Sequence, residues 1–299
     1  MQSGLPGPRP AEDAGGRALP RKQGIDAANL RRFFQPPLMV GAAMAAVTIL
    51  GALAAPWLAH LSPLAVTDDI LVPPSPQNLF GTDELGRDVF SRVIHASRVS
   101  LAVAVLSALG ALVLGAVVGI SAGYFSGWFD SVAMRVFDML LAFPPILFAV
   151  ALVAALGPST RNLVLIIAIL YSPQFARVAR ASTMSVKHQD FVMGARAMGG
   201  SDLWILRRHF LPNVLAPLII QTSLSMTVAL LTTASLSFLG LGIQPPEPSW
   251  GGMISSARSV MLQAPWLAVF PGLAIVYNVL AFNFLGNGLR DALDPSVAG

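Results

Sequence analysis

DFVMGARAMGGSDLWILRRHFLPN, residues 190–213, is a basic and amphipathic stretch between two long apolar runs. Two short helical patterns meet at Gly199 and Gly200, and Pro212 stands directly before the second apolar run. Because both flanking runs have the character of membrane helices, the stretch between them must lie on one side of a bilayer. A short helical segment held outside a membrane is suited to docking a soluble partner. The stretch therefore predicts a membrane protein with a docking loop.

Composition places the whole chain in the membrane. Hydrophobic residues make up 55% of the 299 residues and charged residues 11%, and the mean hydropathy is +0.67. Since backbone groups in lipid must hydrogen-bond internally, the sequence predicts an all-α integral membrane protein. The absence of cysteine excludes disulfides and thiolate metal sites. The formal charge of +4 fits membrane topology better than nucleic-acid binding.

Six apolar runs come near the roughly 20 residues that are needed to cross a bilayer. The predicted transmembrane helices are residues 37–61, 99–125, 139–156, 163–176, 214–241 and 265–288. The fourth run is short, and we expect its terminal arginines to reach along the helix toward the interface. A signal peptide is an alternative for the first run, although that run is long enough to span the membrane.

These spans divide the chain into segments. Residues 1–36 are rich in Pro, Gly and Arg and predict a mostly disordered cytoplasmic tail. The other predicted segments are the first transmembrane helix at 37–61, an extracytoplasmic segment with an interfacial helix at 62–98, a five-helix core at 99–289 that contains a cytoplasmic loop at 177–213, and a cytoplasmic C-terminus at 290–299.

The distribution of basic residues orients the chain. With a cytoplasmic N-terminus and six spans, fourteen of the 19 Lys and Arg residues fall in inside segments and five fall outside. Cytoplasmic loops of membrane proteins carry an excess of these residues. Both termini and the loop at 177–213 are therefore predicted to be cytoplasmic.

Residues 80–101, FGTDELGRDVFSRVIHASRVSL, form a second block of distinctive sequence. Thr82 and Asp83 follow a glycine and predict a turn with a helix N-cap. Asp88 can cap a second helix, in which Arg92 stands four residues further on. We expect this helix at the outer interface, and an ordinary interfacial role remains open beside a functional one.

Residues 235–258, SLSFLGLGIQPPEPSWGGMISSAR, form a third block. Its three prolines forbid a continued helix, so the block predicts a loop after the fifth span. Trp250 suits the outer membrane interface, where its ring can be apolar and its N–H hydrated. A structural re-entrant loop and a functional lid are both consistent with this pattern.

Together these blocks resemble the inner-membrane permease subunits of ATP-binding cassette importers of the dipeptide/oligopeptide/nickel class. The chain is most similar to the DppC/OppC type of subunit, over roughly residues 31–295. The matching motifs are GTDELGRDVFSR at 81–92, SLSFLGLGIQPPEPSWG at 235–251 and PWLAVFPGLAIVYNVLAFNFLGNGLRDALDP at 265–295.

The resemblance implies half of a translocation path for di- and oligopeptides in the bacterial cytoplasmic (inner) membrane, working by alternating access. It implies a homologous permease subunit as the other half, two cytoplasmic ATP-binding subunits that hold ATP and Mg, and an extracytoplasmic substrate-binding protein. No enzyme activity or cofactor is expected in this chain itself, which lacks a G-x-x-x-x-G-K-[ST] phosphate loop and catalytic motifs. Nickel, glutathione or another small solute remains an alternative cargo.

The family's cytoplasmic EAA loop, with its coupling helix, corresponds to the opening stretch. Met193 stands where the family has Glu, Gly199 matches the family's glycine, and Leu211-Pro212 matches the close of the motif. The missing glutamate leaves open which residue dominates coupling. The residues expected to couple to the ATPase are Asp190, Ala195, Arg196, Gly199, Gly200, Asp202, Arg207 and Pro212.

Polar residues in the fifth span could line the path. Gln221, Ser225, Thr232 and Ser235 fall on one helical stripe, which predicts either a wall of the path or hydrogen bonding between helices. In the same span Thr233 replaces an acid that is common in relatives.

Other polar and small residues in the spans favour structural roles. Asp138 predicts an interfacial carboxylate paired with Arg135 or another basic group, and Gly115 with Gly119 predicts a close-packing face. No metal site is predicted.

Two other classes of protein remain as alternatives. A stand-alone secondary transporter would need no ATPase, but such proteins often show internal repeats and ionisable residues near the midplane. A membrane-embedded enzyme would need paired acids or a Ser/His dyad within the spans, and the apolar runs offer neither.

Overall fold

The computed structural model describes residues 35–59 and 61–293, and within them every regular element is helical. The predicted N-terminal tail lies almost wholly outside the described residues, as do residues 294–299 of the predicted C-terminal segment. The helices are α1 Pro36–Leu58, α2 Val89–Phe125, α3 Gly127–Ala142, α4 Pro145–Leu156, α5 Thr160–Lys187, α6 Asp190–Ala197, α7 Asp202–Ile205, α8 Leu211–Phe238, α9 Trp250–Ser256 and α10 Trp266–Leu293.

Five helical stretches are long and apolar enough to cross a membrane: α1, α2, α5, α10 and the continuous stretch Asp202–Phe238 that contains α7 and α8. A sixth crossing would require α3 and α4 together, which meet at 94°. The continuous helix predicted at 139–156 is therefore wrong. Pro144 restricts Phe143 to an extended conformation (φ −89°, ψ 141°), and Pro145 then starts a new helix.

The predicted interfacial helix and second span form one helix of 37 residues. Asp88 is its N-cap, as predicted, and accepts a hydrogen bond of 2.7 Å from the Ser91 N–H. Asp83 caps no helix, contrary to the prediction. Its Oδ1 accepts from the N–H groups of Leu85 and Arg87, both at 2.9 Å, so that its carboxylate closes the turn before α2.

Helices α2 and α5 form the largest helix–helix interface among the described residues. A Cβ atom at Gly115 would lie 2.5 Å from Phe175 Cβ, and one at Gly119 would lie 2.8 Å from Ala176 Cα. These glycines let the two backbones approach closely, which confirms the predicted packing face. The short span predicted at 163–176 is wrong, since α5 runs from Thr160 to Lys187.

The fifth span also begins earlier than predicted. A wide π-helical turn at Leu206–Phe210 joins α7 to α8 without a break, so Pro212 lies inside a continuous helical stretch. Pro212 has no N–H to donate, and a wide turn changes which carbonyls need a donor. The Asn213 side chain donates to the His209 carbonyl of this turn at 2.6 Å.

The third block folds inward rather than against lipid. Trp250 is buried, and its Nε1 donates to the Val93 carbonyl of α2 at 3.0 Å. The expected interfacial position of Trp250 is therefore wrong. The segment between α8 and α10 instead packs as a plug against the N-terminal end of α2.

Candidate coupling surface

Residues 190–212 form a compact hairpin, which we call the coupling hairpin. Its turn is centred on Gly199, whose φ is +81°. Gly199 N donates to the Arg196 carbonyl at 2.9 Å, and Gly200 N donates to the Ala195 carbonyl at 3.0 Å. This hydrogen-bond pair is the Schellman arrangement, in which a left-handed residue ends a helix and reverses the chain. The two predicted helical segments thus meet at Gly199 and Gly200.

One side of the coupling hairpin is buried. Val192, Ala195, Ile205 and Phe210 form a small apolar cluster with Tyr124 from the end of α2. This cluster is separate from the main core of the bundle. The hairpin is therefore held against the end of α2 by its own core, and Ala195 supplies packing there rather than an exposed contact.

Tyr124 is the centre of this attachment. Its hydroxyl donates a hydrogen bond to the Asp202 carboxylate. The Arg196 guanidinium lies 5.0 Å from the centre of its ring, and the Phe210 ring meets it edge-on at 5.1 Å. Two charged residues that were predicted for coupling thus converge on one aromatic side chain that no sequence pattern indicated. The only local signal was a tyrosine at the end of a long uncharged run.

A second set of contacts fixes α5 against α2 and α3. Lys187 Nζ donates to the Tyr124 carbonyl at 2.7 Å and to Ser126 Oγ at 2.8 Å. Arg180 makes a two-pronged contact with Asp130, at 2.5 and 2.6 Å. Bidentate pairs of this kind restrict orientation more than single contacts do.

Asp138 pairs with a basic group, as predicted. Its partner is Arg177 at 2.6 Å rather than Arg135, and both side chains are more than half exposed. Arg177, at the end of the predicted fourth run, was expected to reach along the helix toward the interface, and Arg180 was placed in the cytoplasmic loop. Both instead bind carboxylates of α3.

The opposite side of the coupling hairpin is exposed and apolar. Met198 is 82% exposed and Leu203 68% exposed, and the exposed set continues through Phe191, Met193 and Trp204. Arg207 and Arg208 line a shallow depression together with Leu203 and Trp204 and so border this side. Contiguous exposed apolar area rimmed by polar residues is typical of protein interaction sites. Met193, which stands where the resemblance places Glu, lies on this exposed side.

The structure gathers all eight predicted coupling residues into this hairpin or its junction with α8. Six of them are exposed: Asp190, Arg196, Gly199, Asp202, Arg207 and Pro212. Gly200 is half-buried, and Ala195 is buried. Prediction from sequence placed these residues in one segment but could not separate its attached side from its free side.

The predicted path residues on α8 make hydrogen bonds within the bundle. Thr232 is buried and bonds the Tyr171 hydroxyl of α5 at 2.6 Å. Gln221 Nε2 lies 3.3 Å from Ser225 Oγ and 3.4 Å from Gln174 Oε1 of α5. Thr232 thus joins two helices, while Gln221 and Gln174 form a half-exposed polar pair.

Two further hydroxyl groups of α8 bond their own helix. Ser235 Oγ donates to the Leu231 carbonyl and Thr233 Oγ1 to the Ala229 carbonyl, each at 2.8 Å. Thr233 is buried, so its hydroxyl is occupied within α8.

Similarity to characterised proteins agrees with this architecture. Residues 115–299 match the family described as "Binding-protein-dependent transport system inner membrane component". The chain belongs to this family. It is therefore a permease subunit of a binding-protein-dependent importer of the inner membrane, and the resemblance seen in its motifs is confirmed.

Individual relatives cover most of the chain. It is 46% identical over 224 residues to the dipeptide transport system permease protein DppC of Alkalihalophilus pseudofirmus, covering 75% of this chain and 74% of that protein. It is 43% identical over 272 residues to the glutathione transport system permease protein GsiD of Pectobacterium atrosepticum, covering 89% and 90%. The GsiD protein of Escherichia coli O1:K1 / APEC is 46% identical over 226 residues, covering 76% and 75%.

The fold also resembles a solved transporter. A chain of the MetNI methionine ABC transporter in an inward-facing conformation superposes with a TM-score of 0.57 at 16% identity, covering 68% of this chain and 96% of that one. At this identity the likeness concerns the fold alone. Among the described residues, no three His, Cys, Asp or Glu side chains gather as metal ligands.

Proposed function

We propose that this permease subunit forms half of the translocation path of an ATP-driven importer of di- and oligopeptides. The observation that carries the proposal is the coupling hairpin, which presents an exposed apolar surface on one side and is fixed to two spans on the other. Such a surface suits a soluble ATPase. ATP and Mg would be held by two such partner subunits, and a homologous permease subunit would complete the path.

Peptide cargo is supported by the named transport systems of the relatives, which are dipeptide and glutathione systems. Both cargos are short peptides or peptide-like molecules with free carboxylates. An extracytoplasmic binding protein would deliver them. Nickel or another small solute is the alternative cargo, and uptake measured with each compound separates the two.

We further propose six crossings with both termini in the cytoplasm. The direction of α5 supports this topology. Gly115 faces Phe175 and Gly123 faces Thr183, so α2 and α5 run parallel, side by side. The chain must then return across the membrane between the end of α2 and the start of α5. The bent pair of α3 and α4 is the only segment between them, and it would serve as the third crossing.

The proposed mechanism is alternating access driven through the coupling hairpin. When ATP closes the ATPase dimer, the docked hairpins move as rigid bodies and the path changes its open side. The attachment through Tyr124 would transmit this movement to α2, because the hairpin core and the end of α2 are packed together. Lys187 would carry the same movement to α5.

Co-purification tests the proposal. The tagged chain is extracted from its native membrane in mild detergent, and the proteins that accompany it are identified by mass spectrometry. We expect a second permease subunit and one or two ATPases. Reconstitution with the binding protein in proteoliposomes should then give ATP-dependent dipeptide uptake. Recovery of the intact chain alone would instead favour a stand-alone secondary transporter.

A further inference from the structure

The end of the molecule opposite the coupling hairpin contains two adjoining cavities of about 140 and 190 Å³. They lie between the turn that precedes α2 and the plug that contains α9. Arg87, Arg92, Met253 and Ser256 line both cavities. The larger one continues to Ser237 and Gly240 at the end of α8, the helix that carries the predicted path residues. A pair of arginines is therefore common to the whole space.

These arginines share a single paired carboxylate. Asp83 Oδ2 lies 2.7 Å from Arg87 Nε and 3.5 Å from Arg92 Nε. The side chains are 18% exposed for Arg87 and 9% for Arg92, so neither charge is freely hydrated. Among the described residues, both guanidinium groups pair with this one carboxylate, so one buried guanidinium charge has no carboxylate of its own at ion-pair distance. Such a charge is costly unless an anion accompanies it.

The two other acids that line the cavities do not pair with the arginines. Glu84 and Glu247 each line one of the cavities, but among the described residues neither forms an ion pair with Arg87 or Arg92. Glu84 Oε1 instead accepts a hydrogen bond from the Ser259 hydroxyl at 2.9 Å. Glu247 is exposed on the loop after α8. Of the three carboxylates that line the cavities, only Asp83 pairs with the arginines, and among the described residues none bonds the η nitrogens of Arg87.

The Arg87 guanidinium has hydrogen-bond donors that Asp83 does not use. Its Nε is used by Asp83, while its two η nitrogens have no hydrogen-bond partner among the described residues. Arg92 Nη1 donates to the Pro63 carbonyl at 3.2 Å, which fixes its position. The guanidinium group matches the planar geometry of a carboxylate and can bind it with two parallel hydrogen bonds.

We propose that Arg87, supported by Arg92, binds the C-terminal carboxylate of the transported peptide as it leaves the binding protein and enters the path. This inference rests on the proposed peptide cargo and adds a recognition site within the permease itself. The cavities have room for a carboxylate and a few further atoms, given that a water molecule occupies roughly 30 Å³. The remainder of the peptide would lie toward the end of α8.

The test uses the complete transporter in proteoliposomes, with the dipeptide Ala-Ala and its C-terminal amide each at a concentration that saturates the binding protein. For the unaltered permease, we expect the amide to be taken up about tenfold more slowly, the loss expected for one charge-assisted contact. The Arg87→Gln variant should lower uptake of the acid about tenfold, to the level of the amide, and leave uptake of the amide unchanged.

Arg258→Gln is the matched control. Arg258 is exposed in the same outer region, where it lies over the Phe238 ring at 5.5 Å, and it lines neither cavity. Its variant should transport both peptides normally. If Arg87→Gln fails to assemble, Arg87→Lys carries the test, because it keeps the charge but loses the paired donors and should retain part of the preference for the acid.

An equal fall for acid and amide in an assembled Arg87 variant would overturn the inference, and it would point to a carboxylate of the binding protein as the partner of Arg87. Unchanged uptake of the acid would overturn it as well. Failure of the proposed peptide transport would give a result different from both of these. If the unaltered transporter takes up neither peptide although its ATPase is active, the cargo itself is wrong and the inference falls with it.

Discussion

Gly199 holds the coupling hairpin in a conformation that other residues adopt only at a cost. Its φ of +81° lies in the left-handed region, and no neighbouring atom lies within 4 Å of the place where a Cβ would stand. A substitution would therefore act through the backbone rather than through a clash. For a β-branched residue the cost is of the order of 1–2 kcal/mol.

We expect Gly199→Val to uncouple transport while membrane assembly remains intact, because the strain falls on the turn of the hairpin and not on a span. Uptake and ATP hydrolysis are measured together in proteoliposomes, and uptake per ATP should fall severalfold. Gly194→Ala is the control, since Gly194 has an ordinary φ and open space around it. Normal uptake by the Gly199→Val variant would refute the coupling role.

Tyr124 offers a finer test of how the hairpin is attached. Tyr124→Phe keeps the buried ring but removes the hydroxyl that donates to Asp202. A hydrogen bond to a charged group contributes roughly 1.5–3 kcal/mol, so a looser attachment should lower uptake per ATP. Thermal stability of the assembled complex should change little, because the main core is elsewhere.

A double-mutant cycle completes this test. Asp202→Ala alone should resemble Tyr124→Phe, and the two together should be no worse than either, because both remove the same hydrogen bond. Phe125→Leu is the control, since Phe125 is the exposed neighbour of Tyr124. Fully additive losses would mean that the two residues act independently and that Tyr124 does not transmit the movement of the hairpin.

Local interactions at single residues were predictable from sequence, and distant ones were not. The Asp88 cap was predicted because its partner, Ser91, lies three residues away. Trp250 was misplaced because its partner, the Val93 carbonyl, lies 157 residues away in the sequence. Tyr124 was missed for the same reason, since Asp202 is 78 residues away.

At the level of helices, the contact between α2 and α5 should be the most sensitive to added volume. A Cβ at Gly119 would meet backbone atoms of Ala176, which cannot move aside as a flexible side chain can. We expect Gly119→Val to cost at least about 1–3 kcal/mol through overpacking and to reduce the amount of assembled complex. Gel filtration and thermal unfolding in detergent measure this effect.

Val113→Leu is the matched control for Gly119→Val. Val113 lies on the same helix, but its side chain is exposed on the outside of the single chain. It should fold and assemble normally. If Gly119→Val matched the unaltered protein in yield and stability, the close approach of α2 and α5 would be wrong.

Hydropathy predicted which segments are helical better than it predicted where each helix begins and ends. Because the backbone of a long apolar run must hydrogen-bond internally in lipid, such a run forms a helix, and all five long spans were predicted. Their ends were not, because α5 continues for eleven residues beyond Ala176 as an amphipathic helix whose arginines bind α3. The break between α3 and α4 had a visible local cause in Pro144 and Pro145, yet the apolar run concealed it.

At the scale of the whole molecule, the directions of the helices constrain one another. α1 and α10 run antiparallel, with Gly41 beside Phe284 and Gly288 beside Leu38. The start of α1 and the end of α10 therefore lie at the same end of the bundle. No pattern in the sequence specifies which helices pair or in which direction, since pairing depends on contacts between distant segments.

The absence of cysteine makes the topology directly testable, because each introduced cysteine is unique. If α3 and α4 form one bent crossing, Trp128 and Pro158 lie on opposite sides of the membrane. We expect a membrane-impermeant thiol reagent to label Pro158→Cys on intact cells and Trp128→Cys only after permeabilisation. Met198→Cys should behave like Trp128→Cys, and Leu262→Cys should behave like Pro158→Cys.

The opposite result would have consequences for the rest of the molecule. If positions 128 and 158 were labelled from the same side, the bent pair would be re-entrant and α5 would begin where α2 ends. α5 would then have to run antiparallel to α2, against the order in which Gly115 and Gly123 meet Phe175 and Thr183. The Tyr124 contact with Asp202 would also be lost, since the coupling hairpin would emerge on the far side. The same labelling pattern therefore tests both the proposed topology and the proposed coupling route.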